Sequence, residues 1–172
     1  MSRLLLLTAP FLLVVACASG SPPAPAAAAS SAEPLEFSLP DAHGDTVDLK
    51  TYRGKPVILD FWASWCEPCK TAMPFFDQLQ AKYGDALVVI GVSVDEHPEA
   101  MKEALAQRPV QFLIVHDQKG SLAQRLEVST MPSTYLVGRD GVVRKVHRGF
   151  VASDQEGLEG EVKLLLAEGQ AP

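Results

Sequence analysis

The sequence predicts an α/β sandwich, with a central mixed β-sheet, helices on both sheet faces and a β-hairpin at the N-terminal end of the domain. Three observations lead to this prediction. Apolar runs of strand length alternate with helical patterns between residues 57 and 128. A Gly-Arg-Asp-Gly turn then joins two strand-like runs within residues 133–150. An amphipathic helix from about Ser153 to Ala167 closes the chain.

The first elements follow from local pattern and turn residues. Residues 35–49 hold two short alternating runs around an Asp-Ala-His-Gly-Asp turn, which predicts the hairpin. The apolar run at 57–63 has the length of a buried central strand. From about Glu67 to Tyr83 the apolar residues repeat with helical spacing, and Gly84 is the stop signal.

The later elements alternate in the same way. The pattern predicts, in order, a buried strand at 86–94, a helix at 97–108, a short strand at 110–117 and a short helix at 120–128. The helix predicted at 97–108 has a proline in its first turn and acidic residues near its start, where the positive end of the helix dipole stabilises negative charge. Strands and helices in this order, followed by a hairpin and a closing helix, favour one domain with helices on both sheet faces.

Composition restricts the classes of partner. The chain has 172 residues, with 15 Lys and Arg against 21 Asp and Glu, and a formal net charge of −6. This length allows one ordinary domain, whose core needs no disulfide to hold it. No basic cluster offers a surface for nucleic acid. We therefore expect proteins or small molecules as partners, and a monomer.

Residues 1–16 have the layout of an export signal. Arg3 precedes an apolar run from Leu4 to Val15, which is shorter than the roughly 18 residues of a membrane-spanning helix. An uncleaved N-terminal anchor is the alternative. The end of the run, "VVAC", resembles the lipobox of bacterial lipoproteins, in which the cysteine carries the lipid. Cys17 is then the lipidation site, and two of the three cysteines are left for chemistry.

Residues 17–34 form a linker built almost wholly from Ala, Ser, Pro and Gly, a composition that favours extended and semi-stiff conformers. The pattern of a folded domain begins at Leu35, so the predicted domain is 35–169. Together these segments predict a protein of the bacterial cell envelope. It is expected to be held on a membrane by lipid, with its domain facing the periplasm or the cell exterior.

The stretch "DFWASWCEPCK", residues 60–70, places Cys66 and Cys69 where a helix begins. Free N–H groups and the partial positive charge of a helix N-terminus stabilise a thiolate on the first cysteine, and the second can resolve the mixed disulfide. A structural disulfide in so small a ring constrains little of the unfolded chain. The four histidines are scattered, so we expect no zinc, no other metal and no cofactor. A copper site from the two thiols stays open as an alternative.

These segments together resemble the thioredoxin superfamily, and within it the exported, membrane-tethered thiol-disulfide reductases of the TlpA/ResA type. The resemblance covers about residues 35–168. "VILDFWASWCEPCK" is similar to the active-site strand and helix start of that family, and Pro74 lies where its members kink the helix. "VSTMPSTYLVGRDGVV" is similar to its cis-proline segment, which makes Pro132 that proline and Met131 its neighbour. The implied fold is a thioredoxin-like three-layer sandwich.

Asp60 lies six residues before Cys66 in an otherwise apolar strand, where burial should raise the pKa of its carboxyl. The resemblance makes Asp60 the acid that exchanges a proton with the resolving cysteine. It also assigns a catalytic role to Glu96, whose alternative is a solvated acid at the start of a helix.

The expected site has two sets of residues. The expected catalytic residues are Cys66, Cys69, Asp60, Glu96 and Pro132. The expected substrate-binding residues are Trp65, Glu67, Pro68 and Met131.

Glu67 bears on the direction of electron flow. A negative side chain beside Cys66 opposes its thiolate and shifts the couple towards reducing, although Lys70 acts in the opposite sense. We therefore expect a reductase of protein disulfides. The resemblance implies a membrane thiol donor that recharges it, and substrates in cytochrome c or metal-site maturation.

Two other functions stay open. "FSLPDAHGDTVDL" and "GVSVD" also resemble peroxiredoxins, which share the fold, but those enzymes have a Thr three residues before the reactive cysteine, where this chain has Ala63. A tethered copper carrier that uses the two cysteines, with Met131 as a third ligand, is the other alternative.

Overall fold

A computed structural model gives the fold of residues 33–169. The predicted signal peptide, the lipidation site Cys17 and the linker up to residue 32 lie outside the described residues, so what the sequence predicts for them stays a prediction. Within residues 33–169, none of the helices combines the length and the apolar composition that crossing a membrane requires.

The N-terminal hairpin is present, as predicted. Strand β1, Ser38–Pro40, pairs antiparallel with β2, Thr46–Asp48. The turn between them is held by the carboxylate of Asp41, which accepts the N–H groups of His43 at 2.8 Å and of Asp45 at 2.9 Å. Asp41 also forms an isolated antiparallel bridge with Val115 on the main sheet. The hairpin is thereby attached to one edge of that sheet.

The main sheet is mixed and has five strands. They are β3 (Val57–Trp62), β4 (Val88–Ser93), β5 (Leu113–His116), β6 (Ser133–Val137) and β7 (Val143–Arg148). Their order is β5-β4-β3-β6-β7, with β3, β4 and β5 parallel and with β6 antiparallel to both β3 and β7. Strand β3 lies at the centre, and all six of its residues are buried.

Four helices cover the sheet. They are α1 (Glu67–Tyr83), α2 (Pro98–Gln107), α3 (Ser121–Arg125) and α4 (Gln155–Ala167). Because side chains of a strand alternate between faces, β3 separates two cores. Ile58 and Trp62 pack with α1 and α4, whereas Leu59 and Phe61 pack with the hairpin and with Leu122 of α3. The predicted three-layer arrangement is confirmed.

Strand β5 and helix α3 are among the elements that are shorter than the sequence predicts. Strand β5 does not include residues 110–112, because the N–H of Gln111 donates to the carboxylate of Asp77 on α1 and the pairing with β4 begins at Leu113. Helix α3 ends at Arg125 because Glu127 has φ +53, a left-handed conformation that a right-handed helix cannot continue through.

Gly91 is a position where the core requires glycine. It lies in β4 opposite Asp60, and a Cβ there would lie 2.7 Å from Ile114 Cδ1 and 3.0 Å from Phe112 Cε2. We expect Gly91→Ala to destabilise the fold by about 1–3 kcal/mol, since these side chains must move.

Gly160→Ala in α4 is the matched control for Gly91→Ala, because nothing lies within 4 Å of its Cβ position. The control should be neutral or stabilising by about 0.5–1 kcal/mol. Urea unfolding of both variants measures the difference, and equal stabilities would contradict it.

Candidate active site

The two cysteines lie where α1 begins, at the end of the central strand. Cys66 and Cys69 are joined by a disulfide, with their Cα atoms 5.3 Å apart. Cys66 is 5% exposed and Cys69 is fully buried. An attacking reagent therefore reaches Cys66 first. This agrees with the prediction from the sequence, in which Cys66 is the nucleophile and Cys69 is the resolving cysteine.

The helix N-terminus supports negative charge on Cys66. Cys66 is the N-cap residue of α1, and its sulfur accepts the N–H of Cys69 at 3.3 Å. An N-cap acceptor meets both a free backbone donor and the positive end of the helix dipole. In the reduced protein the same position favours a thiolate over a thiol.

Glu67 and Lys70 form an ion pair on the outside of the first turn. Lys70 Nζ donates to Glu67 Oε1 at 2.6 Å, and the Glu67 side chain is 73% exposed. The hydrogen bond from Lys70 lowers the pKa of the Glu67 carboxyl. Lys70, whose positive charge could stabilise the Cys66 thiolate, is thus paired with the carboxylate of Glu67 on the same helix.

Asp60 is buried in the middle of β3, on the sheet face that packs against α1. It is 2% exposed, and Thr134 on the neighbouring strand donates its hydroxyl to Asp60 Oδ1 at 2.8 Å. Burial raises the pKa of this carboxyl to about 8, against the lowering effect of the Thr134 hydrogen bond. The predicted upward shift is confirmed, and Asp60 is poised to gain or lose a proton near neutral pH.

The segment before β6 lies beside the cysteine turn. The Met131–Pro132 peptide bond is cis, as the resemblance implies. Ser133, the next residue, pairs with Phe61 of β3, so Pro132 lies next to the end of β3 from which the turn to Cys66 departs. The carbonyl of Pro132 accepts the N–H of Gly149 at 2.7 Å, which binds this segment to the end of β7.

Exposed apolar side chains stand next to these segments. Trp65, directly before Cys66, is 67% exposed, and Val151 is 58% exposed. Val151 follows Phe150, whose ring packs against Phe75 at 5.9 Å and Phe76 at 6.2 Å on α1. Trp65 was predicted to bind substrate from the sequence, whereas no role was predicted for the Phe150–Val151 segment. The signal for it was an apolar pair directly after the glycine that ends the hairpin.

The two acids after β4 have opposite environments. Glu96, the predicted catalytic residue, is exposed, and its backbone carbonyl accepts a hydrogen bond from Gln118. Its catalytic role stays a prediction. Asp95, which the sequence analysis did not select, is buried and hydrogen-bonded to Ser64. Because polar residues that follow parallel strands gather at one end of a sheet, Asp95 was as visible in the sequence as Glu96.

The described residues contain no cluster of three or more His, Cys, Asp or Glu side chains arranged to hold a metal ion.

The sequence around this site matches known proteins. Residues 31–146, which include the hairpin, the two cysteines and the cis-proline, match the AhpC/TSA family. The chain belongs to this family. Thiol-disulfide oxidoreductase ResA of Bacillus thuringiensis subsp. konkukian is 32% identical over 124 residues, which cover 72% of this chain and 72% of that protein.

Solved structures similar to this chain agree with the sequence match. The crystal structure of a Chlorobium tepidum protein assigned as thiol:disulfide interchange protein DsbE has a TM-score of 0.74 and 38% identity, and covers 77% of this chain and 94% of that one. The exposed lipoprotein thioredoxin Etrx1 from Streptococcus pneumoniae strain TIGR4 has a TM-score of 0.69 and 28% identity, and covers 76% of this chain and 100% of that one.

Family membership and site geometry give the same activity. The chain is a thioredoxin-like thiol-disulfide oxidoreductase of the ResA and DsbE type, with Cys66 and Cys69 as its cysteine pair. The family implies protein disulfides as substrates. The predicted fold, family and enzyme class are confirmed.

Proposed function

We propose that this oxidoreductase acts as a reductase of protein disulfides in the bacterial cell envelope. Cys17 carries the lipid that holds it on a membrane, and a membrane thiol protein returns it to the reduced form. Its substrates are disulfides between cysteines that must be free for haem attachment to cytochromes c or for metal insertion.

The observation that carries the proposed direction is the ion pair between Glu67 and Lys70. Oxidants of this superfamily owe their potential to a strongly stabilised thiolate. Here Lys70 lies 2.6 Å from Glu67, so its charge is largely cancelled for Cys66. Since the paired Lys70 adds little stabilisation to the Cys66 thiolate, the reduced pair is a better electron donor.

Asp60 supports the second half of the same reaction. After Cys66 has formed a mixed disulfide, Cys69 must lose its proton to attack the Cys66 sulfur. Cys69 is fully buried, which disfavours its thiolate. Asp60, whose pKa is raised to about 8, is ionised in a fraction of the molecules near neutral pH, and this ionised form can take up that proton, either directly or through water.

The surface around Cys66 supports binding of an extended substrate segment. Trp65, directly before Cys66, and Val151, two residues after the glycine that binds Pro132, expose apolar side chains, and Met131 is partly buried against the core. Free backbone groups near Met131 can pair with an extended chain by strand addition. Pro68, on the exposed first turn of α1, completes this contact surface.

The lipid anchor is supported by the lipobox-like residues before Cys17 and by the name of one structural neighbour, an exposed lipoprotein thioredoxin. A tether keeps the domain at high effective concentration near a membrane donor. Metabolic labelling with a radioactive fatty acid tests it: the full chain should incorporate label, and Cys17→Ala should not.

The reduction potential of the Cys66–Cys69 pair tests the direction. In the full-length chain, equilibrated with glutathione or dithiothreitol, we expect a value near or below about −250 mV. A value above about −150 mV would contradict the proposal and indicate a disulfide donor.

Glu67→Gln tests the ion pair. Removing the carboxylate frees Lys70 to stabilise the Cys66 thiolate, so the potential should rise by about 10–30 mV. Glu99→Gln is the matched control, because Glu99 is likewise an exposed acid in the first turn of a helix, but on α2. An equal shift in both variants would mean that net charge, and not the pair, sets the potential.

The two alternatives have direct tests. A peroxidase would consume hydrogen peroxide with dithiothreitol as donor, although fully buried Ala63 stands where peroxiredoxins have a threonine. A copper carrier would bind Cu(I) tightly through the reduced cysteines without thiol-exchange activity. Catalysed insulin reduction with no peroxide consumption would favour the reductase over both.

A further inference from the structure

The carboxylate of Asp95 connects the end of β4 to the turn that carries Cys66. Asp95 is 2% exposed. The N–H of Ser64 lies 3.1 Å from both of its carboxylate oxygens, and the Ser64 hydroxyl donates to Oδ1 at 2.7 Å. The hydroxyl of Ser93 donates to Oδ2 at 2.9 Å. Asp95 thus binds backbone and side chain of a residue two positions before Cys66.

Ser64 is part of a tight turn. The N–H of Cys66 donates to the carbonyl of Ala63 at 3.0 Å, which closes the turn Ala63–Cys66. Trp65 projects from it into solvent. This turn connects the end of β3 to the start of α1, and Asp95, which follows β4, binds it through Ser64. The contact with Asp95 therefore fixes the base from which Cys66 and Trp65 meet a substrate.

Asp95 is itself firmly anchored. Its N–H donates to the Ser93 hydroxyl at 3.2 Å, and its carbonyl pairs with His116 Nε2 at 2.7 Å. His116 is 5% exposed and lies opposite Ser93 in the pairing of β4 with β5. Hydrogen bonds to a carboxylate inside a protein are among the stronger ones, and networks of them rigidify what they join.

We propose that Asp95 is a positioning residue for thiol-disulfide exchange and acts through Ser64 on the turn Ala63–Cys66. In the first step the Cys66 thiolate bonds to one substrate sulfur, the substrate S–S bond breaks, and the second substrate sulfur leaves as a thiolate. This displacement depends on the alignment of the attacking sulfur with the bond that breaks. The role applies to exchange in either direction, so it does not depend on the proposed reductase function.

Two substitutions at Ser64 test the contact without touching the buried core. Ser64→Ala removes the hydroxyl bond to Asp95 and keeps the backbone bond, so insulin reduction by the full-length chain should slow by about threefold to tenfold. Ser64→Thr restores the hydroxyl and should bring the rate back to within about twofold of the parent. Asp95→Asn replaces one acceptor oxygen by a donor and should slow the reaction by at least about tenfold.

Asp117→Asn is the matched control. Asp117 is 1% exposed and follows β5, but it binds the backbone of Ala123 at 2.9 Å and the hydroxyl of Ser121 at 3.2 Å, both on α3. Its replacement should cost stability comparable with that of Asp95→Asn and leave the exchange rate within about twofold.

A spectroscopic measurement separates positioning from general destabilisation. The fast component of the tryptophan anisotropy decay reports on Trp65, because the other tryptophan, Trp62, is 1% exposed. Its amplitude should grow in Ser64→Ala and Asp95→Asn and stay unchanged in Asp117→Asn. The proposal is overturned if the folded Ser64→Ala variant keeps the parent rate, if Ser64→Thr does not restore it, or if Asp117→Asn slows the reaction equally. If Asp95→Asn does not fold, the two Ser64 variants decide.

Discussion

Cys66→Ser is expected to abolish thiol-disulfide exchange, whereas Cys69→Ser is expected to stop the reaction half-way. Cys66 is the sulfur that solvent reaches, and its N-cap position stabilises the attacking thiolate. A serine hydroxyl is far too weakly acidic to replace it, so the rate of insulin reduction should fall at least about 1000-fold. Without Cys69, attack still occurs, but the mixed disulfide cannot be resolved.

Non-reducing electrophoresis distinguishes the two cysteine variants. Cys69→Ser, mixed with an oxidised protein substrate, should accumulate a covalent complex that dithiothreitol dissolves, and Cys66→Ser should form none. The double variant is the control for non-specific crosslinking. Covalent complexes through Cys69 in the Cys66→Ser variant would reverse the assignment of the two roles.

The Asp60→Asn substitution is expected to raise the free energy of unfolding of the protein and to slow its thiol-disulfide exchange. Burial raises the pKa of this carboxyl from 3.8 to about 8, so between these two pH values the folded protein holds a proton that the unfolded chain has released. Stability therefore falls as pH rises from about 4 to about 8 and is level above that range. An uncharged Asn removes this cost, and at pH 7 the variant should gain roughly 2–4 kcal/mol in free energy of unfolding.

The rate of thiol-disulfide exchange should be lower in the Asp60→Asn variant, although its stability is higher. Without a proton acceptor for Cys69, insulin reduction at pH 7 should slow by about 10- to 100-fold, and the difference should narrow at pH values where the thiol ionises unaided. Thr134→Val serves as a second variant: it removes the hydrogen bond that favours the ionised carboxylate, so the loss of stability with pH should extend to higher pH. If the free energy of unfolding of the parent protein did not change between pH 4 and pH 8, this would contradict the raised pKa of Asp60 on which both the stability prediction and the rate prediction rest.

The parts predicted well have local causes. The C-terminal bound of α1 was predicted because Gly84 follows Tyr83. The raised pKa of Asp60 follows from one acid in an apolar strand, and the order of the cysteines follows from their place on a helix. The cis bond before Pro132 came from family resemblance, because a proline in a sequence does not by itself indicate which isomer the fold selects.

The parts that were missed depend on contacts between distant segments. Asp95 and Glu96 are adjacent, and only the path of the chain after β4 decides that the first is buried under Ser64 and the second is exposed. The packing of the Phe150 ring against Phe75 and Phe76 of α1 joins the end of a hairpin to a helix far away in the chain. The strand predicted from residue 110 begins only at Leu113, because the N–H of Gln111 donates to the carboxylate of Asp77.

The two outer strands of the main sheet have a consequence for aggregation. A protein that exchanges disulfides with partly folded chains repeatedly meets exposed strands, which readily pair with any open sheet edge. On one side, the bridge between Asp41 and Val115 covers part of β5. On the other, β7 exposes the cations Arg144, Lys145 and Arg148. Both edges thus carry a feature that opposes further strand pairing, so we expect the enzyme to bind an unfolded substrate at its cysteines without becoming a template on which that substrate aggregates.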